Sequence, residues 1–291
     1  MGKKINNSEH LRCLSRSGAW AKTVPNATKL YAYLVVEALI LRTWPVHEAD
    51  QIVSFFTREQ GKLRGIAKSA AKSRKRFGGA LEPMTYVLAS YVEKPRQELV
   101  RLDACEIVAS PLSEPVDYGR AVALEFFSEV LEETLQDRDP QDAVFRLTVS
   151  VLEQTQSGRI WLPVTYFGVW MVRLMGWMPE IVRCTVCGRP FAGEPAYFES
   201  QQDGLVCMEH RHPAARALSA ESLRTAARMF REPIAALAAE EWPRNRAADL
   251  RRFALQGLER HLEKRLRSAQ ALNQLGESRA TDSPARPAEA R

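Results

Sequence analysis

The sequence predicts an α+β protein, in which a small N-terminal β-barrel precedes a helical domain carrying a cysteine-rich knuckle. Three observations predict it. Five short β-type runs lie between Leu34 and Val108, the apolar period turns helical after Pro111, and three of the five cysteines gather between Cys184 and Cys207. The chain has 291 residues, about two average domains, enough to bury cores without disulfide staples. Hydrophobic residues at 45% and charged residues at 26% are ordinary for folded proteins, and 16 Pro and 15 Gly are too few for a fibrous or low-complexity chain.

Taken in order, residues 1–33 are polar and without period, and read as a flexible leader or a misassigned start. The β-type runs are Leu34 to Arg42, Ile52 to Thr57, Lys62 to Lys68, Met84 to Val92 and Leu99 to Val108, separated by turn residues such as Pro45, Gly61, Gly78-Gly79 and Pro95. Closing them into a barrel would remove exposed sheet edges. Helical spacing then groups Ala121, Leu124, Phe127, Val130 and Leu131, and again Val144, Leu147, Val151 and Leu152. Pro163 suits the start of a third helix ending near Gly176 and Pro179, a fourth begins near Ser219, and a long one runs from about Ala247 to Arg267. The domains are therefore 34–111 for the barrel and 112–270 for the helical part, with a disordered tail over 271–291.

No stretch reaches the roughly eighteen apolar residues of a spanning helix, and Val164 to Met178 is interrupted by Arg173. No apolar run follows the basic first residues before Tyr33, so no secretory signal is expected and a cytoplasmic location is. In a reducing compartment an odd cysteine count argues for metal or core roles. Cys184-Thr-Val-Cys187 is followed by Cys207-Met-Glu-His210, a spacing that turns four soft or borderline ligands toward one point, as a structural Zn²⁺ requires. His212 competes for the fourth position, and the two-residue spacer favours His210. The rival reading is a set of unrelated reduced thiols. A zinc deaminase would need His-x-Glu upstream and Pro before the Cys pair; His47 is followed directly by Glu48, and Arg183 precedes Cys184.

Charge is concentrated. Arg58, Lys62, Arg64, Lys68, Lys72, Arg74, Lys75 and Arg76 with the single acid Glu59 carry a formal +7, one more than the whole chain's +6. A solvated face normally mixes signs, so this run reads as a footprint for phosphates. Alternation puts Lys62, Arg64, Ile66 and Lys68 outward and Leu63, Gly65 and Ala67 inward. Of the nearby aromatics, Phe55, Phe56, Phe77, Tyr86 and Tyr91 read as core, and Trp44, in the loop after the first strand, as the better exposed base-stacking candidate. Phosphate loops ending Gly-Lys-Ser/Thr, Gly-x-Gly-x-x-Gly, Gly-x-Ser-x-Gly and His-Glu-x-x-His are absent from the sequence, so neither a nucleotide cofactor nor familiar catalysis is supported. Glu132-Glu133 and Glu240-Glu241 diverge on a helix, Cys105 reads as a core thiol, and His261 as a core histidine.

Three patterns resemble the RecO family of DNA recombination and repair mediators. They are Glu37 to Arg42 through His47-Glu48-Ala-Asp50, Phe56-Thr57-Arg58-Glu59 and Gly61-Lys62 to Ala67-Lys68; Arg173 to Glu180 entering Cys184-Thr-Val-Cys187-Gly188; and Leu258 to Ser268. The resemblance spans about residues 35 to 270. It implies an N-terminal OB-fold, a helical domain with a zinc knuckle, binding of single- and double-stranded DNA, strand annealing, and recombinase loading onto strands coated by single-stranded-DNA-binding protein. It implies RecR and the acidic C-terminal tail of that coating protein as partners, and a nucleoid-associated place in the cytoplasm. Lys62 and Lys68 match the family's basic strand, Arg74 and Lys75 its basic turn, and Cys184, Cys187 and Cys207 its knuckle. Ser69 stands where a glycine is common and His210 where a fourth cysteine is. The leading expectation is a non-catalytic mediator of DNA repair and recombination. The alternative is a zinc-ribbon nuclease or glycosylase, and a third reading is a regulator using the knuckle for protein contacts alone.

Overall fold

The first strong strand is a nearly continuous apolar run, Tyr33 to Leu41 interrupted by Glu37, and Ala38 to Leu41 and Val53 to Thr57 on the next strand are buried on both faces. The computed structural model describes residues 11–13, 20–22, 32–199 and 204–275. In chain order the strands of its first part are β1 (Leu11–Cys13), β2 (Trp20–Lys22), β3 (Ala32–Pro45), β4 (Gln51–Thr57) and β5 (Gly61–Ala67), then the single-turn helix α1 (Arg74–Phe77), β6 (Tyr86–Glu93) and β7 (Val100–Ala109). There follow α2 (Tyr118–Thr134), α3 (Asp142–Gln154), α4 (Trp161–Leu174), β8 (Ala196–Phe198), β9 (Arg216–Leu218), α5 (Ala220–Met229), α6 (Ile234–Leu237), α7 (Ala248–His261) and α8 (Arg267–Gln274).

The α+β class holds, but the closed five-stranded OB-fold barrel is corrected. The strands form one seven-stranded sheet, ordered β1-β2-β3-β4-β5-β7-β6, in which β3 also pairs with β6. Two strands come from the leader, where no apolar period announced them, and they leave β1 as an outer edge that closure was expected to abolish. β3 serves three partners along its length, pairing with β2 and β6 early and with β4 from Ala38 onward. Apart from β1, β2 and the first two residues of β3, the leader lies outside the described residues; the tail expected to be disordered from 271 instead completes α8 to Gln274, and from 276 it lies outside the described residues.

Contacts divide the chain into two compact units, Met1–Pro115 with Leu131–Val149, and Val116–Val130 with Ser150–Arg291. In the first, Val53, Phe55, Leu63, Ala67, Tyr91, Val100 and Leu102 fill one side of the sheet, joined by Cys105. Burial pushes the Cys105 thiol up to about 12, so it stays a neutral core group. Phe145 packs on Phe56 and Tyr86 on the other side, at centroid distances of 5.6 and 5.9 Å. Gly61 is indispensable here: its φ is +71°, and a Cβ would lie 2.4 Å from the Asp139 carbonyl oxygen.

In the second unit Phe126, Phe127 and Phe167 interlock edge to face or tilted, and α4 is buried along most of its length against α7. The expected long helix ends at His261. Glu263 takes a left-handed φ of +52°, and α8 then starts with its first N–H groups, those of Arg267 and Ser268, donating to the Glu129 carboxylate. β8 and β9 form a separate antiparallel pair. Among the described residues, no helix is long and apolar enough to cross a membrane.

Candidate nucleic-acid interface and metal centre

The predicted cations do not share one environment. Lys62 faces outward from β5 as alternation requires, yet it is only 5% exposed. The last turn of α2 and the loop after it cover it: Nζ donates to the Glu132 carbonyl at 2.7 Å and lies 3.5 Å from Asp137. Arg64 stands 3.8 Å from Glu132, whose other oxygen accepts from the Ser54 hydroxyl. Arg58 bonds Asp142 at 2.7 Å and Glu37 at 3.3 Å, and this guanidinium bond holds the Asp142 carboxyl below its usual range. These three cations therefore meet acids, which reduces their pull on an external polyanion.

Lys68 and Lys72 follow β5 and Arg74, Lys75 and Arg76 form α1, one short basic turn from 68 to 76, and among the described residues no carboxylate pairs with any of them. Four are exposed; Arg76 is half-buried, its guanidinium bonded to the Lys68 carbonyl and Ser73 hydroxyl and resting 5.1 Å from the Phe77 ring. Ser69 adopts the left-handed conformation, φ 54°, that a glycine would hold without strain, and its N–H donates to Asp50 at 2.7 Å. Phe77 plugs the sheet's core from beneath the turn. Trp44 is not in a loop: it lies within β3, half-buried, with the Arg42 guanidinium 5.8 Å over its ring.

The knuckle is built from backbone bonds that aim its ligands inward. Gly188, at φ +71°, donates to the Cys184 carbonyl and closes the first turn, while His210 N–H donates to the Cys207 carbonyl in the second. The Thr185 N–H bond to Leu205 ties the two together, over Gly204, whose absent side chain makes room for Thr185. The ligand atoms of Cys184, Cys187, Cys207 and His210 lie within 4.8 Å of one another, with His210 presenting Nδ1 3.2 Å from Cys207 Sγ. His212 is outside the cluster and its Nδ1 accepts from the Ala214 N–H. Three thiols and an imidazole converging at such distances can hold a metal ion tetrahedrally. Tyr197 and Val206 pack behind it.

A second cationic feature was not found from sequence. On α7 Arg251 is 8% exposed, donates to Thr165 Oγ1 and the Arg244 carbonyl, and lies 4.6 Å over the Trp161 ring, with Arg244 also over that ring at 5.9 Å. Burial first, then neighbouring Arg244 and Arg252, lower the Arg251 pKa to about 10. These groups line a cleft of about 590 Å³ with Pro243, Leu255 and Leu272 and no acid. Glu240 and Glu241 precede these arginines and Asp249 divides them, so the local charge excess is small and no one-signed run marks them.

One-signed charge on an exposed turn and a thiol–imidazole cluster able to hold a metal ion are the equipment of a nucleic-acid-binding protein. Comparison with known proteins narrows this to one family. Residues 33–111 match the family described as "Recombination protein O N terminal", and 115–270 match "Recombination protein O C terminal". The chain is 51% identical over 239 residues to the DNA repair protein RecO of Koribacter versatilis (strain Ellin345), covering 82% of this chain and 98% of that one. It is 30% identical over 241 residues to the DNA repair protein RecO of Anaeromyxobacter sp. (strain K), covering 82% and 95%, and 33% identical over 184 residues to that of Syntrophobacter fumaroxidans, covering 62% and 73%. The chain belongs to the RecO family, and with it to the non-catalytic mediators of DNA repair and recombination.

Proposed function

We propose that the protein anneals complementary DNA strands and helps load recombinase onto strands coated by single-stranded-DNA-binding protein. The observation that carries this is the turn from Lys68 to Arg76, five cations without acid partners among the described residues. Two phosphate backbones brought to such a surface repel each other less, and their base edges stay free to pair. Both single and double strands are ligands, since the contact is to phosphate. Arg58, Lys62 and Arg64 belong to the same footprint, but their acid partners make them scaffold for the turn more than grip.

Zn²⁺ suits Cys184, Cys187, Cys207 and His210, because three soft thiolates and one imidazole fill its four positions and leave none for a substrate. Its role is structural: when bound it supplies folding free energy to a segment whose own apolar cluster is small. Of the family's partners, the acidic C-terminal tail of the coating protein fits the cleft of Arg244, Arg251 and Arg252, where carboxylates meet guanidinium groups and an apolar terminal side chain meets Trp161, Leu255 and Leu272. RecR is the second partner. The test is strand annealing with labelled complementary oligonucleotides and no nucleoside triphosphate. Annealing accelerated by the protein and abolished by high salt supports the reading; an unchanged rate with tight DNA binding rejects it.

A further inference from the structure

Cross-strand partners on neighbouring strands point to the same side of a sheet. Trp44 pairs with Ile52, Ile52 with Ile66, and Ile66 with Arg101, across β3, β4, β5 and β7. Their chain neighbours Val53, Ala67, Val100 and Leu102 fill the core, so this row faces outward. Trp44, Ile52 and Ile66 are half-buried and Arg101, paired with Asp103, is exposed. The adjacent row runs from Arg42 through Ser54 to Arg64, and it is the one Glu132 approaches.

The row continues into the basic turn. The Ala71 N–H donates to the Ala49 carbonyl and the Ser69 N–H to Asp50, which tie the turn to the end of the loop between β3 and β4. A flat ring beside Ile52 and Arg42, in a row that runs on through Ile66 to Arg101, thus stands on the strand whose following loop is bonded to the segment carrying the five cations. Ordinary surface solvation does not call for a tryptophan and two isoleucines side by side on the outer face of a sheet. An unpaired nucleobase does, since it has a π-face to lay on the ring and a phosphate within reach of the turn.

We infer that Trp44 is a stacking site for unpaired bases, and that it gives this face a preference for single strands over duplex, whose bases are already stacked on each other. The inference rests on the reading of the Lys68–Arg76 turn as the phosphate grip. It is tested by comparing oligo-dT, an abasic strand of equal length and a duplex, on the full chain and on Trp44→Leu and Trp44→Phe. The full chain is expected to hold oligo-dT more tightly than the abasic strand. Trp44→Leu, which keeps apolar bulk, weakens oligo-dT by about 5- to 100-fold while abasic and duplex affinities stay within about twofold, and Trp44→Phe keeps most of the advantage. Equal weakening on all three ligands, or oligo-dT binding untouched by Trp44→Leu, overturns it. Failure of the unsubstituted chain to bind any of the three with salt dependence instead overturns the phosphate reading beneath it.

Discussion

Replacing Lys72, Arg74 and Lys75 together by glutamine removes three of the five cations that no acid partners among the described residues, without touching the sheet. Each phosphate neutralised on a single strand releases counterions and contributes about −0.7 to the slope of log affinity against log salt. Five contacts give a slope of about −3.5, and the two left by the triple variant give about −1.4. Over a fourfold rise in salt the unsubstituted protein should lose about 100-fold in affinity and the variant about 7-fold. Fluorescence anisotropy with a labelled oligonucleotide across a salt series reads both slopes. Arg58→Gln is the control, since that guanidinium already bonds Asp142 and Glu37, and it should leave the slope unchanged. Identical slopes for the triple variant and the parent would refute the assignment of the phosphate grip to this turn, as would a slope that moves only with Arg58.

Arg252→Glu, at the exposed lip of the second unit's cleft, should weaken binding of a short acidic peptide ending in an apolar residue at least tenfold and leave DNA affinity intact; calorimetry with the peptide checks it. Gly61→Ala forces a Cβ onto the Asp139 backbone at a positive φ and should cost about 2 to 4 kcal/mol in denaturant unfolding. Purified protein should carry one zinc per chain by elemental analysis, and Cys184→Ser should lose it together with thermal stability. For Glu129, burial acts to raise the pKa, but the bonds from the Ser268 hydroxyl and the Ser268 and Arg267 N–H groups outweigh it and bring the carboxyl below its usual range. Its stabilisation is therefore present above the ordinary carboxylate pKa of about 4.3 and lost as pH falls through the lower folded value, so Glu129→Gln should flatten the acid limb of melting temperature against pH.

Much of this was legible from pattern. The five strand runs were within two residues of the observed strands at most ends, because alternation and turn residues are local signals, and the knuckle was legible because its ligands come in two short spacings. What escaped depends on residues distant in sequence. Alternation correctly turned Lys62 outward, but only the fold reveals that Asp137 and the Glu132 carbonyl wait there. Alternation ends the first run at Arg42, with Pro45 as a turn residue, whereas the strand, bulged between Ile40 and Arg42, stays paired through Trp44 to Pro45. Apolar spacing from Leu250 to Leu266 runs unbroken across the left-handed Glu263, so one helix was expected where α7 and α8 divide the work. The closed barrel failed on β1 and β2, whose residues carry no period to count.

The return of residues 131–149 to the sheet has a practical corollary. Phe145 shields Phe56 and Tyr86, and Asp139 is wedged against Gly61, so a polypeptide severed at Pro115 would expose aromatic rings and strand the Lys62 ammonium. The boundary suggested by homology at residue 111 is thus a poor place for scissors. An autonomous amino-terminal piece must borrow its cover from further along the chain, and exchange of that piece between relatives has to carry both stretches together.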